Sequence, residues 1–126
     1  MIAGNGNDGV NEGDGVAIVH GSGNKVLGNL IGINVGVNGV TPLGNTRYGV
    51  CIMDSPENTI GGDTALPGIP GPPPGNIISE NGEDGVFIEG SASSGNRVLG
   101  NLIGVDVLGT VDGERPSWGW HQGCAQ

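Results

Sequence analysis

Gly23-Asn24-Lys25-Val26-Leu27-Gly28-Asn29-Leu30-Ile31-Gly32 returns 72 residues later as Gly95-Asn96-Arg97-Val98-Leu99-Gly100-Asn101-Leu102-Ile103-Gly104, with a single Lys/Arg exchange. Self-similarity at a fixed offset marks a repeat architecture. A second motif, Gly-Val-x-Ile, stands at Gly15-Val16-Ala17-Ile18, Gly49-Val50-Cys51-Ile52 and Gly85-Val86-Phe87-Ile88, spaced 34 and 36 residues apart, so the offset of 72 contains two periods. Asn-x-(Val/Ile) recurs at Asn24, Asn58 and Asn96, and Asn-(Leu/Ile)-Ile at Asn29, Asn76 and Asn101. The motifs keep one order throughout.

Each motif is a short alternating apolar run bounded by Gly or Asn, the pattern of a half-buried strand followed by a tight bend. A unit with three such strands cannot bury its own apolar side chains, but stacking unit on unit pairs equivalent strands in parallel and builds one aliphatic column. The expected inward rows are Val16/Val50/Val86, Ile18/Ile52/Ile88 and Val26/Ile60/Val98. Asn tolerates the left-handed backbone of a corner, and identical Asn side chains can hydrogen-bond up a stack. Asn24/Asn58/Asn96 and Asn29/Asn76/Asn101 are the expected ladders.

Composition is consistent only once the period is known. With 28 Gly and 8 Pro in 126 residues, bulk statistics read as disorder. Yet 13 Val and 11 Ile against 7 Leu favour strands. Aromatic residues make up 3% of the chain, so the core must be aliphatic and narrow. A net charge of -9 with four Lys and Arg leaves little to neutralise phosphates, which argues against nucleic acid as a partner. No apolar run is long enough to insert in a membrane, and the first residues do not read as a signal peptide. Cys51 and Cys124 are too far apart to spell a metal site.

Asn-x-Val-x-Gly-Asn-x-Ile-Gly over Asn24–Gly32, a variable Gly-rich turn and then Gly-Val-x-Ile resemble the repeats of the right-handed parallel β-helix proteins of the pectate-lyase-like superfamily. The Gly/Asn-rich type found in large secreted bacterial proteins is the nearest in pattern, and the resemblance covers roughly residues 2–108. It implies an all-β chain, a single-stranded right-handed parallel β-helix of about 3.5 coils with three short strands each and a period of 34–38 residues. Residues 1–111 form the repeats, with 63–75 a proline-rich surface insertion, and 112–126 an atypical tail or C-terminal cap. Met1-Ile2-Ala3-Gly4-Asn5 aligns with Ile77-Ile78-Ser79-Glu80-Asn81. A fourth Gly-Val-x-Ile is due at Gly119-Trp120-His121-Gln122, which puts Gln122 in an Ile position. The chain then reads as a piece of a longer solenoid.

Alternation turns Ala17, Cys51 and Phe87 outward as one row, offered as a binding face, with Val19, Met53 and Glu89 as the next. At the corner beyond, His20, Asp54 and Glu89 are the catalytic candidates, because a His and two carboxylates converge there by period; the plainer expectation is a solvated turn. Lys25 and Arg97 share a row with Thr59 between them, and no Asp pair faces them. Polygalacturonase-type chemistry needs paired Asp near an Asn-Thr-Asp element, whereas this chain has Asn58-Thr59-Ile60. Cys51 lacks a base in register. Gly4-Asn5-Gly6-Asn7-Asp8-Gly9-Val10 resembles the calcium-binding nonapeptide repeats of secreted toxins, which makes Asp8 and Asp14 candidates for Ca2+ and calcium the one cofactor considered.

The expectation is therefore a non-catalytic structural or carbohydrate- or surface-binding segment of a larger extracellular protein, secreted or at the cell surface. Its partners are polysaccharide or cell-surface glycan and further β-helix coils of the same parent chain. The alternative is a fragment of a polysaccharide lyase, hydrolase or epimerase.

Overall fold

A computed structural model describes residues 1–6, 13–36, 39–62, 74–104 and 120–122. Asp8, most of the proline-rich insertion and nearly all of the expected tail lie outside these residues. The described chain is all-β, with no helix among the described residues.

Its strands run β1 (Val16–Val19), β2 (Lys25–Val26), β3 (Leu30–Ile31), β4 (Ile33–Gly36), β5 (Gly39–Pro42), β6 (Val50–Met53), β7 (Thr59–Gly61), β8 (Ile77–Ile78), β9 (Val86–Glu89), β10 (Arg97–Leu99), β11 (Leu102–Ile103) and β12 (Trp120–Gln122). Equivalent strands of successive repeats pair side by side. One sheet orders β1-β6-β9-β12, a second β2-β7-β10 and a third β3-β8-β11, and every pair in the three is parallel. The registers match the motif alignment residue for residue: Val16↔Val50↔Val86, Ile18↔Ile52↔Ile88 and Val26↔Ile60↔Val98. Ile2 bridges Ile31 in parallel, as its alignment with Ile78 requires. At the far edge β12 pairs β9 with Gln122 opposite Ile88.

The inward rows merge into one aliphatic cluster. Ile18, Val26, Ile31, Val50, Ile52, Ile60, Ile78, Val86 and Ile88 are buried together, with Ile2, Val16, Val98 and Ile103 packed against them. A strand of two to four residues has almost no stability alone, so burial across repeats holds the sheets, at about 1.5–3 kcal/mol for each fully buried Val or Ile. Ile52 is fully buried in the middle repeat, between Ile18 and Ile88. Ile52→Ala is expected to cost about 2–5 kcal/mol in urea unfolding, by transfer and cavity terms together.

Corner geometry explains much of the Gly and Asn content. The residue preceding each asparagine of the first ladder is left-handed: Gly23 at φ 69°, Glu57 at φ 57° and Gly95 at φ 69°. Glu57 carries a Cβ in a conformation that costs an L residue about 1–2 kcal/mol. Glu57→Gly, which restores what the other two repeats have, is expected to raise stability by about 0.5–1 kcal/mol after the added chain entropy of Gly is discounted. A thermal melt followed by circular dichroism reads the change.

One element was not anticipated from the motifs. The stretch after Gly32, expected as a variable Gly-rich turn, contains an antiparallel pair, β4 with β5, in the register Ile33↔Pro42, Asn34↔Thr41, Val35↔Val40 and Gly36↔Gly39. Asn38-Gly39 within an alternating apolar run is a hairpin signal in its own right. The chain rejoins the repeat where Leu43 N donates to Gly32 O at 3.0 Å and Gly4 N to Leu43 O at 2.9 Å.

Candidate functional site

The asparagine rows are the polar skeleton against which any site is positioned. In the first ladder Asn24 donates from its backbone N and from Nδ2 to Asn58 Oδ1 at 2.8 and 3.0 Å, and Asn58 does the same to Asn96 Oδ1 at 2.8 and 3.1 Å. The second repeats this from Asn29 to Asn76 at 2.9 and 3.2 Å and from Asn76 to Asn101 at 2.9 and 2.9 Å. A third ladder, not foreseen, joins Asn5 to Asn45 at 3.2 and 2.9 Å and Asn45 to Asn81 at 3.2 and 2.7 Å. Its signal was present in the Asn5/Asn81 alignment, but Asn45 sits behind the hairpin, where the flanking motif is altered. Buried Asn45, Asn58 and Asn76 are thereby satisfied, as interior polar groups must be. A shorter serine row supports the first corner, with Ser55 N donating to Ser93 Oγ and Gly21 N to Ser55 Oγ, each at 3.0 Å.

The outward row Ala17/Cys51/Phe87 is only partly a surface. Ala17 is exposed, whereas Cys51 and Phe87 are buried in a second cluster with Tyr48, with Met53 packed against it. Tyr48 stacks on Phe87 with ring centroids 4.3 Å apart and planes 1° from parallel, and the Arg47 guanidinium lies 4.5 Å above the Tyr48 ring. Alternation correctly turned this row away from the aliphatic column, but it does not say what covers the far side. Tyr48 stands where the other repeats carry Asp14 and Asp84, so the period gave no warning of it.

Burial pushes the Cys51 thiol up to about 11, the nearby Asp14 charge adding to the shift, Arg47 opposing it and Glu89 adding a little. A thiol held neutral is a poor nucleophile. In a Cys124→Ser chain, Cys51 is expected to resist iodoacetamide at pH 8 while folded and to react once denatured. The folded value lies above the ordinary 9, so the stability linked to this thiol is complete below pH 9 and drains away as pH rises towards 11. Burial also raises the Tyr48 hydroxyl. Asp14 is raised by burial, against the backbone hydrogen bond that Tyr48 N donates to its Oδ1 at 3.3 Å, with Glu83 adding repulsion.

His20, Asp54 and Glu89 do share one corner. His20 N donates to Met53 O at 3.2 Å and Asp54 N to Glu89 O at 3.0 Å, and His20, Asp54 and Gly90 are all left-handed, at φ 54°, 44° and 101°. The Asp54 carboxylate fills the space where a side chain at position 90 would stand. No hydrogen bond or ion pair among the described residues joins His20 to either carboxylate. Nor, among those residues, do three or more His, Cys, Asp and Glu side chains gather as a metal ion would require.

A concave feature among the described residues lies on the outer face of the β2-β7-β10 sheet. Lys25, Leu27, Thr59, Gly61, Gly62, Arg97 and Leu99 line a cleft of about 280 Å³. Register builds it: Lys25 and Arg97 flank Thr59 as one outward row, and Leu99 stands beside Gly61 as the next. Gly61, left-handed at φ 97°, stands between Leu27 and Leu99 as the low point of a saddle, and a Cβ there would run into the Leu99 carbonyl oxygen and the Asn101 side chain. Two of the chain's four Lys and Arg sit here, and among the described residues the lining contains no carboxylate and no histidine.

Compared with models of known protein families, with curated proteins and with solved structures, the chain matches none. Among the described residues no helix is long and apolar enough to cross a membrane.

Proposed function

We propose that the chain winds as a right-handed parallel β-helix of the pectate-lyase-like type and serves as a non-catalytic, carbohydrate- or surface-binding segment of a larger extracellular protein. The cleft over β2, β7 and β10 carries this reading. Its Lys, Thr and Arg donors border an apolar Leu-Gly-Leu saddle, the mixture of hydrogen-bonding and C–H surface that a sugar ring presents, and its described lining has no acid/base pair. Ladder polarity supports further coils as partners, because each asparagine accepts at Oδ1 from the repeat before and donates its N–H to the repeat after. The right-handed course follows the general bias of parallel crossovers.

The test is a glycan array probed with the full chain, paired with uronate polymers incubated with and without calcium. Retention of glycans without turnover is the expected outcome. An unsaturated, ultraviolet-absorbing product would contradict it and favour a lyase fragment.

A further inference from the structure

We infer that the cleft over β2, β7 and β10 receives an oxyanion ester, the sulfate or phosphate group of a substituted sugar; this rests on the reading of that cleft as a saccharide site. Overall charge points the other way, since a chain at -9 repels anions at long range. Locally the sign reverses. Lys25 and Arg97 are exposed, and among the described residues neither side chain is engaged in an ion pair and no acidic residue lines the cleft.

Geometry selects the kind of anion. Strands lie about 4.8 Å apart, so Lys25 and Arg97 stand about 9.6 Å from one another with Thr59 midway. Both long side chains reach past that half-distance and can close over the Thr59 hydroxyl. An ammonium, a hydroxyl and a guanidinium then approach from three sides. A carboxylate offers two oxygens, whereas a sulfate or phosphate monoester offers three peripheral ones, each able to accept from a separate donor. Two positive charges also suit a phosphate monoester, which carries about -1.5 to -2 at neutral pH.

The row is held before any ligand arrives. Thr59 N donates to Asn24 O and Arg97 N to Asn58 O, each at 2.8 Å, and the asparagines immediately preceding Lys25, Thr59 and Arg97 form the first ladder. The three donors therefore leave a backbone that is already fixed, which lowers the ordering cost of binding. Beside them Leu27 and Leu99 offer apolar surface to the C–H face of the ring that bears the ester. At about 280 Å³ the space suits one or two sugar units.

The test titrates glucose, glucuronate, glucose 6-sulfate, glucose 6-phosphate, inorganic sulfate and inorganic phosphate into the full chain, followed by amide shifts in NMR. The two esters are expected to bind about tenfold or more tighter than glucose or glucuronate, with shifts centred on Thr59 and Gly61 and affinity falling as salt rises. The sulfate and phosphate arms separate the two ester sources. Lys25→Gln with Arg97→Gln is expected to abolish the preference without changing the thermal melt, and Thr59→Val to reduce it several-fold. Glucose bound as well as its esters, or a double variant that behaves as the parent, would overturn the oxyanion inference and leave the saccharide reading standing. Shifts from inorganic anions with no added affinity for the esters would overturn the saccharide part, and no shift with any probe would overturn both.

Discussion

Gly32→Ala is expected to unfold the chain or to remove about 3–5 kcal/mol of its stability, in the range of overpacking plus backbone strain. Gly32 is buried at φ 89°, and a Cβ there would collide with the Ser79 carbonyl oxygen and approach the Asn81 side-chain oxygen and nitrogen to 2.7 and 2.8 Å. None of these can retreat cheaply. Gly32 N is bonded to Ile2 O and its carbonyl to Leu43 N, Ser79 N is bonded to Ile31 O, and the Asn81 side chain belongs to the third ladder. Gly23→Ala is the control, because Gly23 is left-handed too but has open space around the position of a Cβ. Its loss should be only about 0.5–1 kcal/mol, the left-handed penalty less the chain entropy that Ala removes. Urea unfolding of the two variants measures the difference. Equal losses would mean that successive repeats do not approach as closely as described.

Asn58→Ala is expected to cost about 3 kcal/mol, several times the effect of Asn24→Ala at the exposed end of the same ladder. Asn58 is fully buried. Its Oδ1 takes two donors from Asn24, and its Nδ2 lies within 3.1 Å of the carbonyl oxygens of Gly21, Ser55 and Pro56 as well as Asn96 Oδ1. Truncation therefore leaves a cavity, several carbonyls short of a donor and the Asn24 N–H without its acceptor. Asn58→Asp sharpens the point. It keeps the acceptor but sets a carboxylate against those carbonyls, so burial raises its pKa above the ordinary aspartate value. The folded state then holds its proton more tightly than the unfolded one, and the variant should regain stability as pH falls from the raised folded value towards about 4, the recovery being complete below it. A variant that lost stability on acidification more steeply than the parent would contradict this environment.

Period-two alternation and the spacing of the motifs were enough to read the aliphatic rows, because identical side chains in identical registers leave one way to bury them. The same period located the His20/Asp54/Gly90 corner. Recurrence of the Asn-bearing motifs in fixed order also found two of the three asparagine ladders. The rest escaped for physical reasons. Tyr48 occurs once, at a position where its counterparts are aspartates, so no row announces the stack that covers Cys51 and Phe87. Asn45 follows a hairpin that interrupts the repeat, which hid the third ladder. The cleft is lined where Gly61 stands in a row that carries Leu27 and Leu99 in the other two repeats, and such a single exchange is not announced by the period.

Stacked repeats joined by asparagine ladders are the central claim, and couplings across hydrogen bonds test it directly. In a uniformly labelled chain, NMR should detect magnetisation passing from the backbone nitrogen of Asn58 to the side-chain carbonyl carbon of Asn96, from that of Asn76 to Asn101 and from that of Asn45 to Asn81. All three correlations, with slow exchange of the donating amides, are the predicted result. Rapid exchange at these amides with none of the correlations would contradict the account.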